Sequence, residues 1–97
     1  VNPDIVRQQM EGGIIFGLTA ALKGEISFAG GEAEQSNFDG YPLLTMAETP
    51  EIEVIIIPST ESPTGCGEPG TPPIAPAVAN AVFAATGKRL RTLPFKL

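Results

Sequence analysis

The sequence contains no histidine, no tryptophan and a single cysteine, Cys66. One thiol cannot close a disulfide bond within the chain, and it cannot hold an iron–sulfur cluster that needs several thiolates. Without histidine, the chain cannot by itself build a Cys/His zinc site or a Ser-His-Asp triad. We therefore expect no residue of this chain to ligate a metal ion.

Positive charge is also scarce. Six Lys and Arg face eleven Asp and Glu, which gives a net charge of −5 at pH 7. A phosphate backbone or an anionic membrane surface would not be attracted to such a chain, so we expect no nucleic-acid partner. No apolar run approaches the ~20 residues that a membrane-spanning helix requires.

The length of 97 residues predicts one domain with a modest core, because a chain of this size leaves much of its surface in water. The first residue is Val1 rather than Met, and Asn2-Pro3 follows it. We expect the chain to be a piece of a longer polypeptide.

The N-terminal pattern predicts a long helix. Asn2 suits an N-cap, Pro3 suits the first helical position, and apolar residues recur at three- and four-residue spacing from Val6 to Leu22. Gly24 is the predicted C-cap. The stripe contains three glycines: Gly12, Gly13 and Gly17. Each glycine lowers the stability of the helix by roughly 1 kcal/mol relative to Ala, so we expect the glycines to have a purpose. They allow either close packing of the helix or the approach of a flat cofactor or another domain.

A second helix is predicted from Ile74 to Thr86, with a start close to Pro73 and a glycine stop at Gly87. Alternating apolar residues indicate strands, which we place at Glu25–Ala29, Glu32–Gln35, Glu51–Ile57 and Leu90–Leu93. The predicted fold class is α+β, with two helices packed on a small sheet of three or four strands.

A glycine- and proline-rich loop, Thr64–Pro73, precedes the second helix. Three glycines and three prolines in ten residues restrict its backbone to unusual angles. Glu68 lies in the middle, between Gly67 and Pro69. Because Pro69 restricts the backbone of the residue before it, the loop holds the Glu68 carboxylate in a restricted position. From these residues alone, a solvated loop carboxylate and a catalytic one both remain open.

Several motifs follow one another along the chain, among them Gln9-Met10-Glu11-Gly12-Gly13, Asn37-Phe38-Asp39-Gly40-Tyr41, Gly67-Glu68-Pro69 and Pro76-Ala77-Val78-Ala79-Asn80-Ala81. Together these motifs resemble the C-terminal part of the molybdopterin-binding large (beta) subunit of the xanthine dehydrogenase and aldehyde oxidase family. The resemblance is greatest for the bacterial isoquinoline 1-oxidoreductase and aldehyde oxidoreductase branch, and it covers residues 1–97 as a C-terminal segment of the molybdopterin-binding domain.

The resemblance implies a molybdenum hydroxylase that oxidises an aldehyde or an N-heteroaromatic substrate with water as the oxygen source. In such enzymes a glutamate of the Gly-Glu-Pro loop is the general base, and the matching residue here is Glu68. The resemblance also implies contacts of Gln9 and Gly67 with a molybdenum–pyranopterin cofactor, although Gln9 is equally consistent with an exposed helix residue. Iron–sulfur clusters would lie only on another chain or subunit.

The same resemblance implies three partners: the rest of the large subunit, an iron–sulfur small subunit and a small-molecule substrate, in a bacterial cytoplasm or periplasm. We expect the 97 residues alone to be inactive, to hold no cofactor and to self-associate through exposed apolar surface. The alternative is a non-catalytic structural or subunit-assembly module that binds a partner through the glycine face of the first helix. An anion site at the loop is disfavoured, because Glu68 would occupy the place of a phosphate.

Overall fold

The computed structural model describes residues 1–97 and contains two helices, α1 (Pro3–Leu22) and α2 (Ile74–Thr86). Between them lies one antiparallel hairpin of β1 (Phe28–Ala29) and β2 (Glu32–Ala33). The α+β class, both helices and the hairpin are confirmed. The sheet is smaller than predicted, since it has two strands rather than three or four.

Helix α1 begins and ends with hydrogen bonds that follow from its sequence. Asn2 Oδ1 accepts from the backbone N–H of Asp4 at 2.9 Å, so Asn2 is the predicted N-cap. At the other end the backbone N–H groups of Lys23 and Gly24 both donate to Thr19 O at 2.9 Å. The C-cap is therefore Lys23, one residue before the predicted Gly24. Neither helix is long and apolar enough to cross a membrane.

Helix α2 has the predicted bounds. The backbone N–H of Ile74 donates to Thr71 O at 3.2 Å, and Pro73 is the N-cap without a side-chain hydrogen bond. Gly87 adopts the left-handed conformation, with φ of 74°, and its N–H donates to Phe83 O at 2.7 Å. A glycine at this position avoids the steric cost that a Cβ would add, which is why the helix stops there.

The two helices contact one another through glycine. A Cβ placed on Gly17 would lie only 2.9 Å from Ile74 Cβ and from Thr71 O. A Cβ on Gly13 would lie 3.3 Å from Gly70 Cα. Close packing therefore explains Gly13 and Gly17. A Cβ on Gly12, by contrast, would meet no atom within 4 Å.

The predicted packing of helices on a sheet is wrong, because the hairpin contacts neither helix. Its turn is Gly30-Gly31, with φ of 61° and 87°, the two positive values of a type I′ turn. The segments predicted as strands at Glu51–Ile57 and Leu90–Leu93 form no strand. A strand needs a hydrogen-bonded neighbour, and no other segment of these 97 residues forms backbone hydrogen bonds with either one.

The core is very small. Eight residues are buried, and the buried apolar ones are Leu18, Ala21 and Phe95. The backbone N–H of Phe95 donates to Ala21 O at 2.7 Å, which ties the end of the chain to α1. The radius of gyration is 16.2 Å, compared with about 13 Å for a compact domain of 100 residues. Most apolar side chains of this chain therefore remain in contact with solvent.

A polar network attaches the segment after the hairpin to the end of α1. Thr19 Oγ1 donates to Ile15 O and accepts from the backbone N–H of Leu44, both at 3.2 Å. Lys23 Nζ donates to Glu48 Oε2 at 2.6 Å, and the Thr45 hydroxyl donates to the same oxygen at 2.7 Å. These hydrogen bonds lower the pKa of Glu48 to about 2, and the bond from Lys23 has the largest effect.

This shift predicts an acid-sensitive attachment. Because the folded-state pKa of Glu48 is lowered from 4.5, its contribution to stability is present above about pH 4.5 and is lost as the pH falls toward 2. The ¹³C shift of its carboxyl carbon should titrate with a midpoint near 2, and Lys23→Met should raise that midpoint toward 4.5. A wild-type midpoint already near 4.5 would contradict the network.

Candidate active site

A groove of about 570 Å³ lies between α1 and the loop that precedes α2. The helix supplies one wall and the Gly67–Pro72 segment supplies the other. The lining residues are Gln9, Gly12, Gly13, Phe16, Gly67, Glu68, Thr71 and Pro72. The three residues singled out in the sequence as site residues, Gln9, Gly67 and Glu68, therefore meet in one groove.

The loop is held against α1 by contacts that need small residues. A Cβ on Gly70 would lie 2.9 Å from Met10 O and 3.3 Å from Ile14 N, so only glycine allows this approach. Thr71 Oγ1 donates to Gly13 O at 3.0 Å, and the backbone N–H of Thr71 donates to Glu68 O at 2.9 Å. These bonds fix the backbone of Glu68 relative to the helix.

Gln9 and Gly67 are neighbours across the groove. A Cβ placed on Gly67 would lie 3.8 Å from Gln9 Nε2, so the glycine leaves the amide free of a competing side chain. Gln9 and Glu68 are both exposed in this chain, and neither side chain forms a hydrogen bond with another residue. Their polar atoms are thus available to a ligand in the groove.

The groove can accommodate a flat group on its helix side. Gly12 lines it, and no atom lies within 4 Å of the position of its missing Cβ. An amide with two donors and an acceptor, a glycine-lined wall and an open carboxylate match what a pterin-type cofactor and a reacting centre require. The donor set therefore fits the cofactor that the family resemblance implies. No group of three or more His, Cys, Asp or Glu side chains in the chain could hold a metal ion.

Sequence reasoning missed three lining residues: Phe16, Thr71 and Pro72. Phe16 could have been found, because it follows Gln9 by seven residues and Gly12 by four and so shares their helix face. Thr71 carries no such signal, since its role depends on a carbonyl of α1 that is distant in sequence. Cys66 is free, half-buried and outside the groove lining.

No protein-family model matches the chain. Curated relatives do match it over nearly its full length. It is 44% identical over 98% of its length to the beta chain of the isoquinoline 1-oxidoreductase of Brevundimonas diminuta, and 43% identical over 97% to a nicotinate dehydrogenase subunit of Pseudomonas putida. It is 41% identical over 99% to a protein of Gluconacetobacter polyoxogenes named membrane-bound aldehyde dehydrogenase (pyrroloquinoline-quinone).

The chain spans only a small part of these relatives, namely 12% of the first, 8% of the nicotinate dehydrogenase subunit and 12% of the aldehyde dehydrogenase. A less similar relative, 36% identical over the whole chain, is the aldehyde oxidoreductase molybdenum-binding subunit PaoC of Escherichia coli. The name of this relative refers to molybdenum binding. Two relatives of lower identity are named as xanthine dehydrogenase subunits, and one of these two names also refers to molybdenum binding.

Proposed function

This chain belongs to the xanthine dehydrogenase family of molybdenum-binding oxidoreductase subunits, and we propose that it is the C-terminal segment of the catalytic domain of a molybdenum hydroxylase. The proposed enzyme oxidises an aldehyde or an N-heteroaromatic compound and takes the oxygen from water. The observation that supports this most strongly is the convergence of Gln9, Gly67 and Glu68 in one groove.

Glu68 is the proposed general base. When bound, the molybdenum–pyranopterin cofactor supplies a water-derived oxygen and accepts two electrons from the substrate. The Glu68 carboxylate would accept a proton from this water-derived oxygen, because an oxygen that has lost its proton is a better nucleophile toward an electron-poor carbon. The Thr71 hydrogen bonds to Glu68 O and Gly13 O keep the base on the groove side of the loop.

Gln9 is the proposed cofactor-orienting residue. Its side-chain amide can donate to and accept from the edge of a pterin ring, and the nearby Gly67 leaves room for that ring. The name of the Gluconacetobacter relative refers instead to pyrroloquinoline quinone, which is also a planar, polar-edged group. Identification of the cofactor is therefore part of the test of this proposal.

The groove is open to solvent between its two walls, and Gln9 and Glu68 are exposed in it, so we propose that other parts of the large subunit complete the site. We expect the isolated 97 residues to be inactive and to bind no molybdopterin. Equilibrium dialysis of the isolated chain with the cofactor checks this expectation. Tight, stoichiometric binding would contradict it.

The unpaired segment Glu51–Ile57 leads to a second measurable expectation. Its backbone groups make no hydrogen bond within the chain, and its side chains include the exposed Ile55 and Ile57. We propose that it pairs with a strand elsewhere in the large subunit, because unpaired strands of this composition are ready templates for pairing. Its amides should exchange about a hundredfold more slowly in the full-length protein than in the isolated chain. Equal rates would contradict the pairing.

The alternative, a structural or subunit-assembly module without catalytic function, is favoured by one observation, which is the large exposed apolar surface. Most of the relatives are themselves named as subunits, so they are parts of multi-subunit enzymes. We propose an iron–sulfur subunit as the partner of the full-length protein. The turnover of the whole enzyme separates the two functions. If the chain served only in assembly, the Glu68→Gln enzyme would keep both its partner subunit and its turnover.

A further inference from the structure

A single hydrogen bond joins the loop and helix α2 to helix α1. Thr71 Oγ1 donates to Gly13 O at 3.0 Å, and no other hydrogen bond links residues 64–86 to α1. The rest of the junction is van der Waals contact through small residues, such as that of Gly70 with Met10 O. Such contacts limit how closely the loop approaches the helix. A hydrogen bond has a preferred length and direction, so it also fixes the position of the loop along the helix.

Thr71 uses its hydroxyl, its N–H and its carbonyl within this junction. Its backbone N–H donates to Glu68 O at 2.9 Å, and its carbonyl accepts from the N–H of Ile74, where α2 begins, at 3.2 Å. The bond to Glu68 O closes a four-residue turn, and Pro69 restricts the backbone at the second position of this turn. A shift of Thr71 relative to α1 is therefore passed on to Glu68.

The helix side of the same bond belongs to the element that carries the proposed cofactor contact. Gln9 precedes Gly13 by four residues and lies on the same face of α1. The Thr71 hydroxyl thus joins the helix that carries Gln9 to the turn that carries Glu68. Each of these contacts joins two residues of this chain, whatever else covers its surface in the full-length subunit.

We propose that Thr71 is a positioning residue, whose hydroxyl sets the place of the Glu68 carboxylate relative to the cofactor that Gln9 contacts. This inference rests on the proposed function. A general base acts only within hydrogen-bond reach of the proton that it accepts. Without the hydroxyl, the turn stays against α1 but can slide along it, so the base is less often within that reach. The loss therefore falls on kcat and not on KM.

The first test is steady-state kinetics of the full-length protein. Thr71→Val keeps the shape of the side chain but removes the donor, and it should lower kcat about tenfold or more while KM changes by less than about twofold. Thr71→Ser keeps the donor and should stay within about threefold of the wild-type kcat. Thr86→Val is the matched control and should change neither constant. The Thr86 hydroxyl also donates to a helix carbonyl, Val82 O at 2.7 Å, but it lies at the C-terminal end of α2.

A double variant tests whether Thr71 acts through Glu68. If it does, Thr71→Val should lower kcat no further in an enzyme that already carries Glu68→Gln, because the displaced side chain is then no longer a base. Two independent losses that multiply would overturn the proposal. A Thr71→Ser enzyme as slow as Thr71→Val would overturn it as well.

Hydrogen exchange in the full-length protein gives a readout that needs no turnover. In Thr71→Val the amides of Gly70, Thr71 and Ile74 should exchange about tenfold faster than in the wild type and in Thr71→Ser. Unchanged exchange would overturn the role of the hydroxyl. If Glu68→Gln left turnover intact, the proposed function of Glu68 would fail, and the exchange rates would still decide whether the hydroxyl holds the loop on α1.

Discussion

Glu68→Gln in the full-length protein should lower kcat by a factor of about 10² to 10⁴, the usual contribution of a general base. The substitution keeps the size and shape of the side chain but removes the group that accepts the proton. Glu68 is exposed in the groove and makes no side-chain hydrogen bond, so folding should not suffer. The measurement is single-turnover kinetics with a saturating substrate.

The matched control is Glu61→Gln, an identical chemical change at another exposed residue of the segment before α2. It should leave kcat unchanged, and both variants should contain as much molybdenum as the wild type. A Glu68→Gln enzyme with full turnover would contradict the role of the carboxylate. A variant that has lost its metal would point to a structural effect instead of a catalytic one.

Gly70→Ala should lower kcat about tenfold to a hundredfold, although Gly70 lies outside the reacting groups. The added Cβ would lie 2.9 Å from Met10 O, a backbone atom of α1 that cannot rotate away. The loop must therefore move off the helix and carry Glu68 with it, and misplacement of a catalytic group by about 1 Å can cost about 10²-fold. Overpacking of this kind also costs about 1–3 kcal/mol of stability.

Gly65→Ala is the control for Gly70→Ala. It adds the same methyl group to the same loop, but its Cβ would meet no atom within 4 Å. Its kcat and its resistance to limited proteolysis should match those of the wild type. If both variants lost activity equally, flexibility of the loop rather than its contact with Met10 would be the cause.

Local sequence signals predicted the two helices well. Asn2 and Pro3 fix the start of α1, and Gly87 fixes the end of α2, because each residue satisfies or avoids a specific backbone constraint at a helix end. These constraints act within a few residues of the chain. They do not depend on what packs against the helix.

The two strands predicted outside the hairpin were the main error. The alternation in Glu51–Ile57 is that of a buried strand, yet in this chain the segment makes no backbone hydrogen bond with another segment and forms no strand. Pairing depends on residues far away in sequence, so periodicity indicates that a segment suits a sheet but not whether a partner strand is present. The same pattern is what leads us to propose pairing within a longer subunit.

The site could be predicted only in part. Composition and spacing identified a stiff loop around Glu68, and the resemblance to a known family added Gln9 and Gly67. The packing of Gly70 against Met10 O and the bond from Thr71 to Gly13 O explain why these residues meet. Neither contact has a local sequence signal, because each joins the loop to a helix distant in the chain.

The most direct test of the account is to identify the cofactor and the oxygen source of the purified full-length protein together. We predict about one molybdenum and one pterin per large subunit, no pyrroloquinoline quinone, and ¹⁸O in the product after single turnover in H₂¹⁸O. Bound quinone without molybdenum, or product oxygen that does not come from water, would contradict the proposal that Glu68 serves a molybdenum hydroxylase.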